Sequence, residues 1–440
     1  MVFLLGGSTL DMGGGMIRCF PELIASSSFE LWLSHLPPCV PPRCQRDAET
    51  GQARDAWLPI GPQVLQSALG VQALESFLKS KATSMPGPDL EVAAPCPASC
   101  AWITLITRAS YLPGVVMLVH TLDKHSSRHP IIVQYTSKLE ADCVTCLKNL
   151  NTLYPLMHVQ LVEPVPLAEG HNPIAARFDD TLTKLRAFEP LDSPAQGQPE
   201  PPLERQPDQI CFLDSDIMIF RNMDDIFRIP RPSKDWIAAH HACICNIDND
   251  PWAPPEWNPD TCPNTPLEHP SALSSPVPSE SSKGAKPTDQ LLNSGVFVCT
   301  PSKELWDRID HFRVTDPRVK DFAFPDQNFL DEFFKDRWVP IGWQYNAFKT
   351  SRYWHTKSWR DEEVRALHYI VDKPWESKVK DDGSAGYLGR DGVTHSWWWR
   401  EADNWKQWAL KKGDAAQEVL GVMEKYMLKN DGLGETRYQK

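Results

Sequence analysis

A chain of 440 residues with 41% hydrophobic and 23% charged positions has the composition of an ordinary globular protein and can bury a large core. The formal net charge of −12 excludes a role that coats a phosphate backbone, because such binding needs a basic face to release counterions. A small anionic substrate would then need local help from a metal or a few placed cations.

The start of the chain lacks a basic n-region and a long apolar core, and no apolar run approaches the roughly 20 residues of a membrane span. No Asn opens an N-x-Ser/Thr sequon. A cytoplasmic protein without a membrane span is expected. Residues 1–95 mix glycine, proline and short apolar runs around one periodic stretch at 64–80, and read as a poorly specified extension. The 12 cysteines show no small-scaffold spacing. Cys143 and Cys146 form a CxxC with no second pair at zinc-ribbon spacing, so buried helix thiols are expected there.

From Ala101 the texture changes. The run "AWITLITRASYLPGVVMLVHTLDKHSSRHPIIVQYT" reads as a strand, a loop, a helix and a second β-branched strand, which is a βαβ unit. Two Pro-rich segments, about 189–208 and 242–287, interrupt the rest of the domain. Proline removes a ladder donor, so both are expected as surface excursions of low order outside any sheet. Around them lie the strand-like runs "QICFLDSDIMIF" and "SGVFVCT". Alternating strands and helices predict one α/β domain over residues 96–376 with a mostly parallel central sheet. The remainder, 377–440, joins the Trp-rich "THSWWWREADNWKQW" to an amphipathic helix from Asp414. Packing of these tryptophans is favoured over carbohydrate stacking.

In "ICFLDSDIMIF" an apolar strand delivers Asp214, Ser215 and Asp216 at its carboxyl end, the edge where ligands gather in open α/β sheets. Two carboxylates at i and i+2 can meet one hard cation if the chain turns there. Such an ion would neutralise a departing diphosphate. Alone, the pair is a weak signal, because acidic pairs at strand ends are more often solvated turn residues.

Four blocks in chain order resemble glycosyltransferase family 8, the group that contains glycogenin and galactinol synthase: "TLITRASYLPGVVMLVHTL", "TLTKLRAFE" with "FLDSDIMIFRNMDDIF", "LLNSGVFVCTPS" with "FPDQNFLDEFF", and "ALHYIVDKPW". The resemblance implies a GT-A-type, Rossmann-like nucleotide-diphospho-sugar transferase fold and manganese, or another divalent cation, held by Asp214, Asp216 and His368. It implies a UDP-sugar donor bound by Thr107, Tyr111, Asp214, Ser215, Asn293, Ser294, Gly295 and Lys373, and chemistry carried by Lys184, Asp326 and Gln327. Phe329, Leu330, Phe333 and Phe334 are read as core at helical spacing.

This chain departs from the family pattern twice. His368 and Lys373 stand five apart instead of six, with Val371 replacing an internal glycine, and Ala323 replaces an aspartate three residues before Asp326. The resemblance implies a transferase that retains anomeric configuration, with a small polyol, a protein or a glycan as acceptor; a homodimer is compatible with the sequence. A non-catalytic nucleotide-sugar-binding protein of the same fold is the alternative. A hydrolase using Asp214 and Asp216 as acid and base is disfavoured, because carboxylates on one strand end cannot flank a glycosidic bond.

Overall fold

The computed structural model describes residues 99–171, 173–192, 202–279 and 285–428, all within the unit Glu91–Lys440. The expectations for residues 1–95 lie outside the described residues, as does the middle of the first Pro-rich segment. Among the described residues the strands are β1 (Cys100–Ile106), β2 (Ile131–Tyr135), β3 (Met157–Leu161), β4 (Gln209–Leu213), β5 (Ile217–Ile219), β6 (Ile237–His241), β7 (Leu292–Cys299), β8 (Trp338–Pro340), β9 (Ala347–Phe348) and β10 (Ala366–His368). Seven form one sheet in the order β3-β2-β1-β4-β7-β6-β8, and β5-β10-β9 form a second, smaller one. The fold is α/β with a mixed, largely parallel sheet: β7 runs antiparallel to both of its neighbours, while every other pairing in the large sheet is parallel.

The central strands are buried on both faces, which is why β1 and β4 read as continuous apolar runs rather than alternating ones. Trp102 and Ile106 of β1 point into one layer and Ala101 and Ile103 into the other. The first layer holds α1 (Leu112–Lys124) and α2 (Ala141–Leu153). The second holds α3 (Lys303–Thr315), α4 (Pro325–Phe333) and the 3-10 segment Thr181–Phe188. Phe329, Leu330, Phe333 and Phe334 lie in that second core as expected. Cys143 and Cys146 are buried thiols on α2.

After the short helix α5 (Ser351–Trp354), the last described helices are α6 (Gly392–Lys412) and α7 (Asp414–Lys425), which pack on the first layer. Trp398 and Trp405 are fully buried there, and Trp397, Trp399 and Trp408 pack against the same core. The indole-rich segment is therefore structural. Trp399 Nε1 donates to Pro374 O at 2.8 Å, and Trp398 lies 5.7 Å from Trp375, so α6 braces the loop after β10.

The second Pro-rich segment corrects the expectation of low order. Residues 242–279 contain no strand, as proline dictates, yet they are anchored from within. Asn264 Nδ2 donates to Ala242 O at 3.2 Å, Thr288 Oγ1 donates to Thr261 O at 2.7 Å, and Cys262 and Ala272 are buried. Side-chain to backbone bonds and apolar anchors satisfy an irregular backbone without a ladder.

Candidate active site

β4 ends in the large sheet and β5 begins in the small one, so residues 214–216 turn from one sheet to the other. Ile217 N–H closes the turn on Asp214 O at 3.2 Å. Asp214 N–H donates to Gly295 O at 2.8 Å, and Tyr369 N–H donates to Asp216 O at 2.9 Å. His368 pairs with Ile217 across the β5–β10 ladder, which carries its ring to the same point. The approach of α1 to this turn requires a glycine: a Cβ on Gly114 would lie 2.1 Å from Ser215 O.

His368 Nε2 stands 3.2 Å from Asp216 Oδ1 and 3.7 Å from Asp214 Oδ2. Donors adjacent around an octahedral hard cation stand roughly 3 Å apart when each metal bond is about 2.1 Å, so the three atoms fit one such ion.

Hydrogen-bond polarity also aims the ring. Gly295 N–H can only donate, and it reaches Asn293 Oδ1 at 3.0 Å. Asn346 Nδ2 donates to the same oxygen at 2.9 Å, which leaves Asn346 Oδ1 facing His368 Nδ1 at 3.0 Å. Nδ1 therefore carries the hydrogen, and in the neutral ring the lone pair on Nε2 faces the two carboxylates. A Cβ on Gly295 would lie 2.3 Å from His368 Cε1, so glycine is what lets the ring seat.

Two lysines compensate the acids. Lys184 Nζ lies 2.9 Å from Asp214 Oδ1 and 2.6 Å from Asp326 Oδ2, and Lys373 Nζ lies 2.5 Å from Asp216 Oδ2. Burial would raise Asp216, but Lys373 and His368 outweigh it and hold the carboxyl well below the usual range. Burial, with Asp216 adding to it, raises Asp214 in spite of Lys184. Asp326 is held low: its burial is overcome by Lys184 and by hydrogen bonds that include Ser294 Oγ at 2.6 Å. Lys184, which the sequence alone could place as a solvated helix lysine, is buried.

Thr107, Tyr111, Lys184, Asp214, Ser215, Asp216, Asn293, Ser294, Asp326, Gln327, His368 and Lys373 all line one cleft. Gly295 alone of the expected residues stands behind it, under the His368 ring. Asn293 Nδ2 donates to Gln327 Oε1 at 3.1 Å, tying the β7 turn to the start of α4. Trp375 is buried and donates its indole N–H to Ser110 O at 2.9 Å.

Several participants were not legible in the sequence. Asn346 carried no motif. Arg108 and Arg177 line the cleft, and Arg108 Nε is paired with Asp180 at 3.0 Å. Trp252 and Trp257, from the second Pro-rich segment, form an aromatic wall with Phe324; the Trp257 and Phe324 rings are stacked at 6.3 Å. Their only signal was two tryptophans inside a stretch that otherwise reads as loop.

Val371, at the position of the missing glycine, keeps a left-handed backbone with φ 63° and is 41% exposed on the cleft. A β-branched residue rarely adopts this conformation, so the loop retains a glycine's geometry at a cost. Lys349, fully buried, holds the same loop: its Nζ donates to Asp372 O at 2.8 Å and to Asp391 Oδ2 at 2.6 Å.

The model of glycosyl transferase family 8 matches residues 203–379, a span that contains the Asp-Ser-Asp turn, the Asn-Ser-Gly turn and the loop after β10. Galactinol synthase 1 of Solanum lycopersicum is 24% identical over 310 residues, covering 68% of this chain and 81% of the relative. Galactinol synthase 3 of Arabidopsis thaliana is 24% identical over 307 residues, covering 68% and 80%. Among solved structures, the chain is similar to the galactosyltransferase LgtC in complex with donor and acceptor sugar analogs, at 12% identity and a TM-score of 0.43 over 68% of this chain and 94% of that one. The motif blocks in chain order, the match over residues 203–379 and the curated relatives all point to glycosyltransferase family 8.

Proposed function

We propose that this protein is a retaining, UDP-sugar-dependent hexosyltransferase of GT-A type that works with a divalent cation, manganese by the chemistry of its donor set. The observation that carries the proposal is the convergence of Asp214, Asp216 and the Nε2 lone pair of His368 on one point of a cleft that also holds Lys184 and Lys373. Two carboxylates and an imidazole suit manganese, and a bound ion would supply positive charge to the diphosphate as it leaves.

The chain's own residues do the rest. Thr107 and Tyr111 hold the uridine, Lys373 binds the diphosphate, and Asn293 and Ser294 flank the donor sugar with Asp326 against its hydroxyls and Gln327 on the reacting face. The acceptor oxygen bonds to the anomeric carbon from the side on which the bond to the diphosphate breaks, and its proton passes to a diphosphate oxygen. Support for this front-face route comes from Asp326, whose carboxylate is buried and engaged by Lys184 and Ser294, which disfavours it as a covalent nucleophile.

The acceptor is a small polyol, a protein or a glycan; the names of the curated relatives favour the first. Self-priming on Tyr345 or Tyr353 is disfavoured. Tyr345 is buried under Arg365, Tyr353 has its hydroxyl 3.4 Å from Asp391, and neither lines the cleft. The site of action we propose is the cytoplasm; none of the described helices is long and apolar enough to cross a membrane.

A panel of UDP-sugars with manganese and several acceptors tests the proposal. The Asp214→Asn, Asp216→Asn double variant should lose roughly 10³-fold or more in turnover together with metal-dependent UDP binding, and full activity would overturn it. The pairing of Lys373 with Asp216, beneath the strained Val371, favours as second reading a protein that binds the nucleotide sugar without turnover. UDP binding with no transfer or hydrolysis across the panel would select that reading.

A further inference from the structure

At the far end of β6 from Ile237, the chain leaves the sheet through Ala242 and Cys243 into the second Pro-rich segment. Three sulfurs and one ring nitrogen meet there. His355, just after α5, places Nε2 at 3.1 Å from Cys243 Sγ, 3.4 Å from Cys245 Sγ and 4.0 Å from Cys262 Sγ. All four atoms lie within 4.8 Å of one another, and Cys245, Cys262 and His355 are buried. Three thiols cannot all be consumed by one disulfide, and one imidazole N–H cannot serve three sulfurs.

We propose that Cys243, Cys245, Cys262 and His355 bind one zinc ion, a structural site separate from the cation group at Asp214, Asp216 and His368. A tetrahedron with bonds of about 2.3 Å to sulfur and about 2.0 Å to nitrogen has sulfur–nitrogen edges of roughly 3.5 Å, the centre of the range these atoms span. The ligand chemistry is three soft thiolates and an imidazole, which selects zinc over the hard cations suited to the cleft. All four positions are filled by protein, so the ion has no open site for substrate and its role is to staple.

The element it staples is the irregular segment itself. Ala242, Ile244, Cys245 and Cys262 form a small apolar cluster of their own, with Trp257, Leu291 and Trp354 around it. A segment without strands and with so small a core gains much from a metal cross-link. Trp252 and Trp257 ride between Cys245 and Cys262, and they line the cleft together with Cys243. The zinc would therefore fix the aromatic wall of the donor cleft relative to β6 and α5.

Metal analysis of the full chain, purified without chelator, tests the site. The expected result is about one zinc per chain that survives dialysis against EDTA, is kept by the Asp214→Asn, Asp216→Asn variant and is lost from Cys245→Ser and Cys262→Ser. Cobalt exchanged into the wild-type protein should show sulfur-to-cobalt charge-transfer absorption with tetrahedral d–d bands. That spectrum is decisive even if the cysteine variants fail to fold. Zinc far below one per chain, with the three thiols titrating freely or two of them found as a disulfide by peptide mapping, would overturn the proposal.

Discussion

Around Asp214, Asp216 and His368 the facing atoms are two carboxylate oxygens and one ring nitrogen, and the group opens on a cleft. Around Cys243, Cys245, Cys262 and His355 they are three sulfurs and one ring nitrogen set against an apolar cluster, with Cys243 alone of the four reaching the cleft wall. The first group sits where two sheets exchange the chain, and its acids are paired with Lys184 and Lys373. The second sits where a loop leaves a strand, and its sulfurs face an imidazole in place of a lysine. Ligand hardness and the presence of an open position separate a group suited to handle substrate from one suited to hold a fold together.

That contrast can be broken most directly through the amide that aims His368. Asn346→Ala removes the acceptor for Nδ1–H, and manganese affinity in the cleft should fall by about 10- to 100-fold, measured by titration calorimetry, with zinc content unchanged. Unaltered manganese affinity would mean that this amide does not orient the ligand.

A smaller effect is expected beside the same group at Val371. The left-handed conformation costs about 1–3 kcal/mol for such a residue, and a glycine there gives back about 0.4–1 kcal/mol through the unfolded chain. Val371→Gly should therefore stabilise the protein by about 1 kcal/mol net in urea unfolding; a destabilised variant would show that the valine side chain contributes more than its backbone costs.

The smallest effect is a control placed away from both groups. Glu401 of α6 accepts from His120 Nε2 at 2.9 Å and Lys124 Nζ at 2.6 Å, and these contacts, the first above all, hold its carboxyl at about 2 against the opposing effect of burial. Its folded value lies below its unfolded one, so the stabilisation is present above about pH 4.3 and is lost as the pH falls toward 2. Glu401→Gln should cost under about 1 kcal/mol at neutral pH after solvent screening and flatten the acid limb over that window. Zinc and manganese binding should not move, and a loss of either would couple α6 to the metal groups.

Local patterning was enough to read β1, β2, β4, β7 and the first helix, because burial on both faces writes an unbroken apolar run into strands such as β1 and β4; β3, β6, β8, β9 and β10 left no such run. It was also enough to locate Asp214 and Asp216, since a strand that ends in acids needs no partner to be recognised. Lys184, Asp326 and His368 became legible only as members of blocks in a fixed order. Singly, each has an ordinary structural explanation. The order within residues 242–279 was misread because proline content reports the absence of a ladder, which is true here, and not the absence of anchoring, which depends on what Asn264 and Cys262 meet.

The sequence by itself determined an α/β fold, a candidate metal-and-donor edge and the resemblance to glycosyltransferase family 8. Only the tertiary structure decided which nitrogen of His368 faces the acids, because that is set by the polarity of bonds among Gly295, Asn293 and Asn346, residues of two separate segments. It alone decided that Val371 keeps a glycine's backbone, since φ is not written in the residue type. It alone gathered Cys243, Cys245, Cys262 and His355, whose ligand spacing is set by the path of β6, a loop and α5 through space. Properties carried by neighbours along the chain survive in the sequence; properties carried by neighbours across it appear when the chain has folded.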